Sequence, residues 1–285
     1  MDSAATKSAG VPHILMCPPV YYGIEYEINP WMDRSRQADR DLAMRQWTDL
    51  RDILVSAGAT ISCMEPVEHL PDLVFTANAG LIHRDLAVVS RFRHAERRRE
   101  EPHDEAWFAA HGYTVRRVAD AGNFEGAGDA LFCGDTLFAG YRKRSDASAL
   151  QSLGAMLGVR VIPFELVDGY FYHLDTCFCP ISAGAAIYHA PAFDEYARRA
   201  LGELVADLIP VEADEARRFA CNAVVVGRTV VTNTGCAKLR AALADRGYRT
   251  IETPLDEFVK AGGSAKCLTL RLDGEEAAAW KWETS

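Results

Sequence analysis

The feature that most restricts the fold is a short strand-like segment that recurs five times, each time after a helical pattern. The copies are ATISC from Ala59, YTVRRV from Tyr113, VRVIPF from Val159, DLIPV from Asp207 and YRTIE from Tyr248, at intervals of 54, 46, 48 and 41 residues. A repeat of that period marks a structure assembled from copies of one supersecondary unit. Four of the segments follow a glycine, Gly58, Gly112, Gly158 and Gly247, the residue best suited to the left-handed conformation that stops a helix. From Asp41 to Ala57, the residues Trp47, Leu50 and Leu54 recur at helical spacing with Arg45, Asp49 and Arg51 between them, an amphipathic pattern. Residues 95–111, 146–157, 194–206 and 236–246 read the same way.

Ahead of each helix lies strand-like or hairpin-like text: ILMC from Ile14, LVFTANAGLI with AVVS from Leu73, ALFCGDTLFAG from Ala130, CFCPISAGAAIYH from Cys177 and CNAVVVGRTVVTN from Cys221. In the last three, Gly134-Asp135, Ala183-Gly184 and Gly227-Arg228 separate two apolar runs, as a β-hairpin requires. The repeating unit is therefore strand, turn, strand, helix, strand. Five units fill residues 13–272 and leave 1–12 and 273–285 as tails. One unit cannot bury its own sheet face, so the expected object is a ring of five around a pseudo-fivefold axis. It forms a single α/β domain with strands central and helices outside. Loops converge at one mouth of such a ring, which makes the mouth the natural place for a site.

Composition excludes several functions. The 285 residues carry 31 Lys and Arg against 40 Asp and Glu, a net charge of −9, which opposes a broad nucleic-acid or anionic-membrane surface. No apolar run approaches the roughly 18 residues of a membrane span, and the first dozen residues lack the basic and apolar regions of a signal peptide. A cytoplasmic protein is expected. The eight cysteines contain no C-x-x-C pair and read as reduced thiols. Cys177 and Cys179 have no second pair to complete a zinc site, and the G-x-G-x-x-G spacing of a dinucleotide loop is absent. Neither metal nor cofactor is expected, and nothing in the sequence speaks to oligomeric state.

Polar residues inside apolar text are informative, because a buried charge is costly unless it is paired or working. Five segments carry them: INPWM at 28–32, PDLVFTANAG at 71–80, FEGAGD at 124–129, YFYHLDTCFCP at 170–180 and GGSAKCLTL at 262–270. Cys267 follows Gly262 and Gly263 and precedes an apolar strand, with Lys266 beside it. It reads either as a nucleophile, with Lys266 or His173 lowering its pKa, or as a small buried hydrophobe. His173 sits among aromatic residues, and Asp175 would share its face of a strand; a structural histidine would look the same. Glu125 and Asp129 flank two glycines in a tight turn that presents two carboxylates or a solvated loop. The dense charges of RFRHAERRREEPH at 91–103 read as a solvated loop and helix start rather than a lid.

FTANAG, FEGAGD, Y-H-L-D-T and G-G-x-x-K-C-L-T-L, in this order over five such units, resemble the guanidino-group modifying enzymes: arginine deiminase, dimethylarginine dimethylaminohydrolase, amidinotransferases and arginine dihydrolases. INPWM, PDLVFTANAG and FYHLDTCFCP look especially like the arginine dihydrolase branch. The resemblance implies a five-bladed α/β propeller over residues 13–272. It implies Cys267 as nucleophile, His173 as general acid and base, and Glu125 as the partner of His173. Asp175 and Asp129 would hold the guanidinium, Arg91 and Arg144 the substrate carboxylate, and Asn29 and Asn78 the rest of the pocket. The substrate is expected to be arginine or a derivative. Asn78 stands where arginine deiminase carries an acidic residue. A neutral amide both donates and accepts, which favours a second attack on citrulline and formation of ornithine, two ammonia and carbon dioxide. Deimination to citrulline and dimethylarginine hydrolysis are the alternatives. The same propeller occurs in the ribosome-binding translation initiation factor six, but the retained Cys267, His173 and Glu125 argue against a non-catalytic role.

Overall fold

A computed structural model describes residues 11–118 and 122–279, so most of the two expected tails, 1–10 and 280–285, lies outside the described residues. In chain order, β1 (His13–Met16), α1 (Arg40–Ser56) and β2 (Thr60–Cys63) come first, then β3 (Gly80–His83), β4 (Leu86–Val89), α2 (Glu101–Ala110) and β5 (Thr114–Arg116). There follow β6 (Ala130–Cys133), β7 (Thr136–Tyr141), α3 (Ala147–Leu157) and β8 (Arg160–Glu165), then β9 (Phe178–Ser182), β10 (Ala185–Tyr188), α4 (Glu195–Leu204) and β11 (Asp207–Pro210). The chain ends on α5 (Ala213–Ala216), β12 (Val224–Val226), β13 (Thr229–Asn233), α6 (Ala237–Ala244), β14 (Arg249–Thr253), α7 (Asp256–Val259) and β15 (Leu270–Arg271).

These strands form five three-stranded sheets with one connectivity. Strands β3 and β4, β6 and β7, β9 and β10, and β12 and β13 are antiparallel hairpins. A helix then carries the chain over to a parallel third strand, β5, β8, β11 or β14. The remaining sheet takes its hairpin strand from the far end of the chain: β15 pairs antiparallel with β1 through Ile14↔Arg271 and Leu15↔Leu270, and β1 runs parallel to β2. Neighbouring sheets touch, β15 against β3 and β6 against β9, and the Arg271 guanidinium of β15 donates to the Val225 carbonyl of β12 at 3.3 Å.

Local chemistry fixes these elements. Asp39 caps α1 by accepting from the Leu42 N–H at 3.0 Å, and Asp194 caps α4 through the Ala197 N–H at 2.8 Å, each satisfying a donor the helix leaves open. Trp47, Leu50 and Leu54 of α1 are buried, as their spacing requires. Gly58, Gly112, Gly158 and Gly247 all take positive φ, between 65° and 106°, so each expected helix stop is a left-handed glycine. Aromatic side chains such as Phe138, Phe164, Phe178 and Phe193 fill the space between the third and fourth sheets, each contributing about 1.5–3 kcal/mol by leaving water.

Immediately before the first strand of each sheet the chain makes a tight turn: Thr76–Asn78, Gly126–Gly128 and Leu174–Thr176 for three of them, and residues 217–222 and 265–268 for the others. Three features differ from the sequence expectation. His173 and Asp175 lie on a turn, not a strand, because Asp129 Oδ1 accepts the Leu174 N–H at 3.1 Å and bends the chain there. Helix α2 starts at Glu101 rather than residue 95, because the preceding turns fold Arg97 and Glu100 inward. Residues 273–279 pack against the body: the Gly134 N–H donates to the Ala277 carbonyl at 2.7 Å, and the Ala279 N–H to the Gly134 carbonyl at 2.9 Å. Among the described residues no helix is long and apolar enough to cross a membrane.

Candidate active site

Two of the turns before the strands supply Asn78 and Cys267 to one cavity, whose wall also includes Asn29, Asp72, Arg97, Arg144 and Tyr172. Cys267 is 3% exposed. Its Sγ receives the Asn222 Nδ2 N–H at 3.1 Å and donates to Asp175 Oδ2 at 3.4 Å. Asn222 also accepts the Cys267 N–H at 3.2 Å and donates to the Asp175 carbonyl at 3.0 Å. One amide thus ties the turns that carry the thiol and the carboxylate. Lys266 does not serve the thiol as expected: its ammonium turns away to Glu275, at 2.9 and 3.2 Å. Burial and the neighbouring Asp175 carboxyl hold the Cys267 thiol well above its ordinary pKa, so it rests protonated. Burial pushes Asp175 up to about 7, opposed by Lys266 and by hydrogen bonds from Cys267 and Asn222.

Beside this group, His173 Nε2 meets Glu125 Oε2 at 2.7 Å. The same oxygen accepts from Arg144 Nη1 at 3.1 Å, and Oε1 accepts the Arg93 N–H at 3.0 Å. Burial alone would raise the Glu125 carboxyl, but Arg144 and His173 outweigh it and hold Glu125 well below the usual range. Glu125 is therefore a fixed negative charge against the His173 ring, orienting it. Arg144 lies with its guanidinium 4.6 Å over the Tyr172 ring and donates to the Ile28 carbonyl at 3.0 Å. Arg142 and Lys143 are its basic neighbours in sequence. Arg142 points outward to Glu165, and Arg144 alone of the three is buried.

Asn78 is 3% exposed and packs against Gly128, where a Cβ would stand 2.2 Å from Asn78 Nδ2 and 3.5 Å from the His173 ring. That glycine lets the amide and the imidazole approach across one backbone. Asn29 reaches the cavity wall with its amide committed to shape: Nδ2 donates to the Ala261 carbonyl at 3.0 Å, and Oδ1 accepts the Trp31 N–H at 2.9 Å. It fastens the 28–32 segment over the cavity.

Arg91 and Asp129 have other surroundings. Arg91 has an exposed side chain and pairs by its backbone with Phe124. Asp129 is buried behind His173, with Oδ2 accepting from Ser145 Oγ at 2.6 Å and Oδ1 from the Leu174 N–H; burial pushes it up to about 6. It shapes two turns. The cation that lines the cavity beside Arg144 is Arg97. It is 3% exposed, within the run expected to be solvated, and Glu100 at 2% lies beside it. Asp72, 2% exposed, leaves Oδ1 without a hydrogen-bond partner, and so does Asp175 with its own Oδ1. Asn222 escaped notice although Phe219-Ala220-Cys221-Asn222-Ala223 repeats the F-x-x-N-A spelling of Phe75-Thr76-Ala77-Asn78-Ala79. Among the described residues no cluster of three or more His, Cys, Asp or Glu is placed to hold a metal ion.

The likeness to known proteins follows the same lines. The model of the family described as N,N dimethylarginine dimethylhydrolase, eukaryotic, matches residues 25–273. The bifunctional arginine dihydrolase/ornithine cyclodeaminase ArgZ of Synechocystis sp. is 44% identical over 91% of this chain. The chain spans 37% of ArgZ's length, and the same share of its Nostoc sp. counterpart AgrE. The N(G),N(G)-dimethylarginine dimethylaminohydrolase of Mycobacterium tuberculosis is 37% identical over 95% of this chain and 89% of its own length. Among solved structures, the N-terminal domain of ArgZ, as a cysteine-to-serine mutant bound to substrate, has a TM-score of 0.89 and 42% identity over 94% of this chain and 99% of that domain. By sequence and fold together, the chain belongs to the dimethylarginine dimethylhydrolase family of guanidino-group modifying hydrolases, on its arginine dihydrolase branch.

Proposed function

We propose that this chain hydrolyses the guanidinium group of L-arginine twice, giving ornithine, two ammonia and carbon dioxide at the cost of two waters. The observation that carries the reading is the pair of buried carboxylate oxygens without partners, Asp175 Oδ1 beside the Cys267 thiol and Asp72 Oδ1 in the cavity wall. A buried acceptor left open is costly, and a substrate with a cation at each end, guanidinium and α-ammonium, relieves both. Arg144, which uses one N–H on each Nη for Glu125 and Ile28, has donors left for the α-carboxylate.

In this reading the guanidinium binds against Asp175, and its charge lowers the pKa of Cys267. The thiol proton is released to solvent, where it ends on the departed ammonia as ammonium, and Sγ bonds to the guanidinium carbon; when Cys267 is later displaced, its thiolate regains a proton from the hydroxyl delivered by water. His173, oriented by Glu125, protonates the departing ammonia as general acid, and the neutral ring then takes a proton from water. That water displaces Cys267 and yields citrulline. A second passage over the same residues releases the second ammonia and leaves an N-carboxylate that loses carbon dioxide. Asn222, donating to Sγ, would stabilise the thiolate. The 42% identity to the ArgZ N-terminal domain, an arginine dihydrolase, and Asn78 in place of an acid support the double reaction. The five sheets of common connectivity support a five-bladed propeller, with residues 13–272 as one catalytic domain.

Mass spectrometry of the products from arginine tests the proposal. Ornithine with two equivalents of ammonia supports it, and citrulline accumulating alone refutes the second half. The Mycobacterium tuberculosis relative favours a second reading, dimethylarginine hydrolysis, for which release of dimethylamine from methylated arginine is the test.

A further inference from the structure

The Asn78 amide has two chemically opposite ends, and its surroundings admit one orientation. Oδ1 accepts from Arg97 Nη1 at 2.9 Å, and Nδ2 donates to the Glu125 carbonyl at 3.1 Å. Reversed, the amide would set N–H against the N–H of a guanidinium and C=O against C=O, losing both bonds. Arg97 is itself clamped. Its Nε and Nη2 donate to the two oxygens of Glu100 at 2.9 and 2.7 Å, and Nη2 also donates to the Asp72 carbonyl at 3.2 Å. Its guanidinium lies 4.4 Å over the Phe92 ring. A two-pronged carboxylate fixes the plane of a guanidinium as well as its place.

We propose that Glu100 is a positioning residue: by clamping Arg97 it locks the Asn78 amide so that the second Nδ2 N–H is the group presented to the cavity. This inference rests on the dihydrolase reading. A guanidinium carries only donors and gains nothing from that N–H. A ureido group carries an acceptor oxygen and does. Glu100, which touches neither substrate nor reacting atoms in this arrangement, therefore acts selectively on the second half-reaction. It does so by holding citrulline for another attack. With the Glu100 charge removed, the counter-ion left to Arg97 is Asp72, whose Oδ2 lies 3.8 Å from Nε. A shift toward it pulls Nη1 off Asn78 and frees the amide to turn.

The test compares the parent chain with Glu100→Gln, each given arginine and, separately, citrulline. Citrulline, ornithine and ammonia are quantified by mass spectrometry, and folding is checked by circular dichroism. Drawing Asp72 toward Arg97 raises KM for both substrates alike, so the diagnostic is the partition at saturation. The variant is expected to release about tenfold more citrulline per ornithine, the worth of one hydrogen bond. Its consumption of arginine is expected to fall by less than about threefold, within the range of an indirect effect. An unchanged ratio in a folded variant overturns the proposal. If Glu100→Gln does not fold, Arg97→Lys takes its place: it keeps the charge but cannot span Glu100 and Asn78 together, so the same rise is expected and the same constancy refutes. A parent that makes citrulline and no ornithine refutes the dihydrolase reading, and this inference with it. That outcome is distinct from a constant ratio in an ornithine-forming parent.

Discussion

Asn222→Asp isolates the link between the thiol and the rest of the site. The replacement is nearly isosteric and keeps an oxygen to accept the Cys267 N–H. It removes the N–H that reaches Sγ at 3.1 Å and the Asp175 carbonyl at 3.0 Å. A hydrogen bond to a charged group contributes roughly 1.5–3 kcal/mol, and each 1.36 kcal/mol is a factor of ten in rate. Losing the donor to the thiolate should therefore lower kcat/KM by about 10- to 150-fold. If the new carboxyl ionises, it stands against Sγ as a like charge and deepens the loss, because two unit charges about 3 Å apart repel by roughly 5 kcal/mol at an effective dielectric of 20. Stability should fall by about 1–3 kcal/mol, since the buried Asp175 carbonyl loses its donor. Ammonia release from arginine gives the kinetic figure, and the pH dependence of iodoacetamide labelling gives the thiol pKa, which should rise. A folded variant with parental kcat/KM and an unmoved labelling profile would remove Asn222 from the chemistry.

Four further outcomes are expected. Cys267→Ser should fold and lose turnover by several orders of magnitude, because the hydroxyl ionises far less readily than a thiol; appreciable residual ammonia release would take the nucleophile role from Cys267. Arg144→Ala should raise KM for arginine roughly 10- to 100-fold by loss of a charge-assisted contact, while Arg91→Ala should change it less than about twofold, as for an exposed site; steady-state kinetics giving the reverse order would restore Arg91. Asp175, pushed up to about 7, is neutral below that pH and charged above it. Because the guanidinium needs the charged form, kcat/KM should fall as pH drops through about 7, and a flat profile from pH 5 to 9 would contradict this. Asn78→Asp should pair with Arg97 and lose the N–H offered to a ureido oxygen, so more citrulline should be released per arginine consumed; ornithine alone at an undiminished rate would refute the role given to that amide.

The repeat was legible because glycine stops and hairpin turns are local: Gly58, Gly112, Gly158 and Gly247 sit where the helices end whatever the tertiary contacts. The hairpin partner of β1 was not, since only tertiary structure brings Leu270 beside Leu15. Within the site, Cys267, His173, Glu125, Asp175, Asn78 and Arg144 stood out as polar residues in apolar text or motif, and the fold brings all six to one place. Arg97 and Glu100 were hidden by their neighbours, because a run of like-looking charges does not reveal which two turn inward to neutralise each other. Asp72 lay in full view in PDLVF, but the open oxygen that gives it a use is a property of its surroundings. The contacts of Asp129 to Ser145 and Leu174 were not legible either, because a carboxylate that fastens two turns has the same sequence appearance as one that faces a substrate.

The sheet assembled from both ends of the described chain gives the molecule a seam, and the seam runs beside the thiol. Only two residue pairs join β1 to β15, reinforced by the Leu272 N–H on the His13 carbonyl at 2.7 Å and the His13 N–H on Asp273 at 3.2 Å. Cys267 lies three residues before β15, whereas Asn222 and Asp175 belong to turns of other sheets. Fraying of so short a ladder is a local event that leaves most of the core intact. It carries Sγ away from both partners at once. Heating should therefore silence the enzyme before it melts, and the gap between the two temperatures would measure the strength of this one closure.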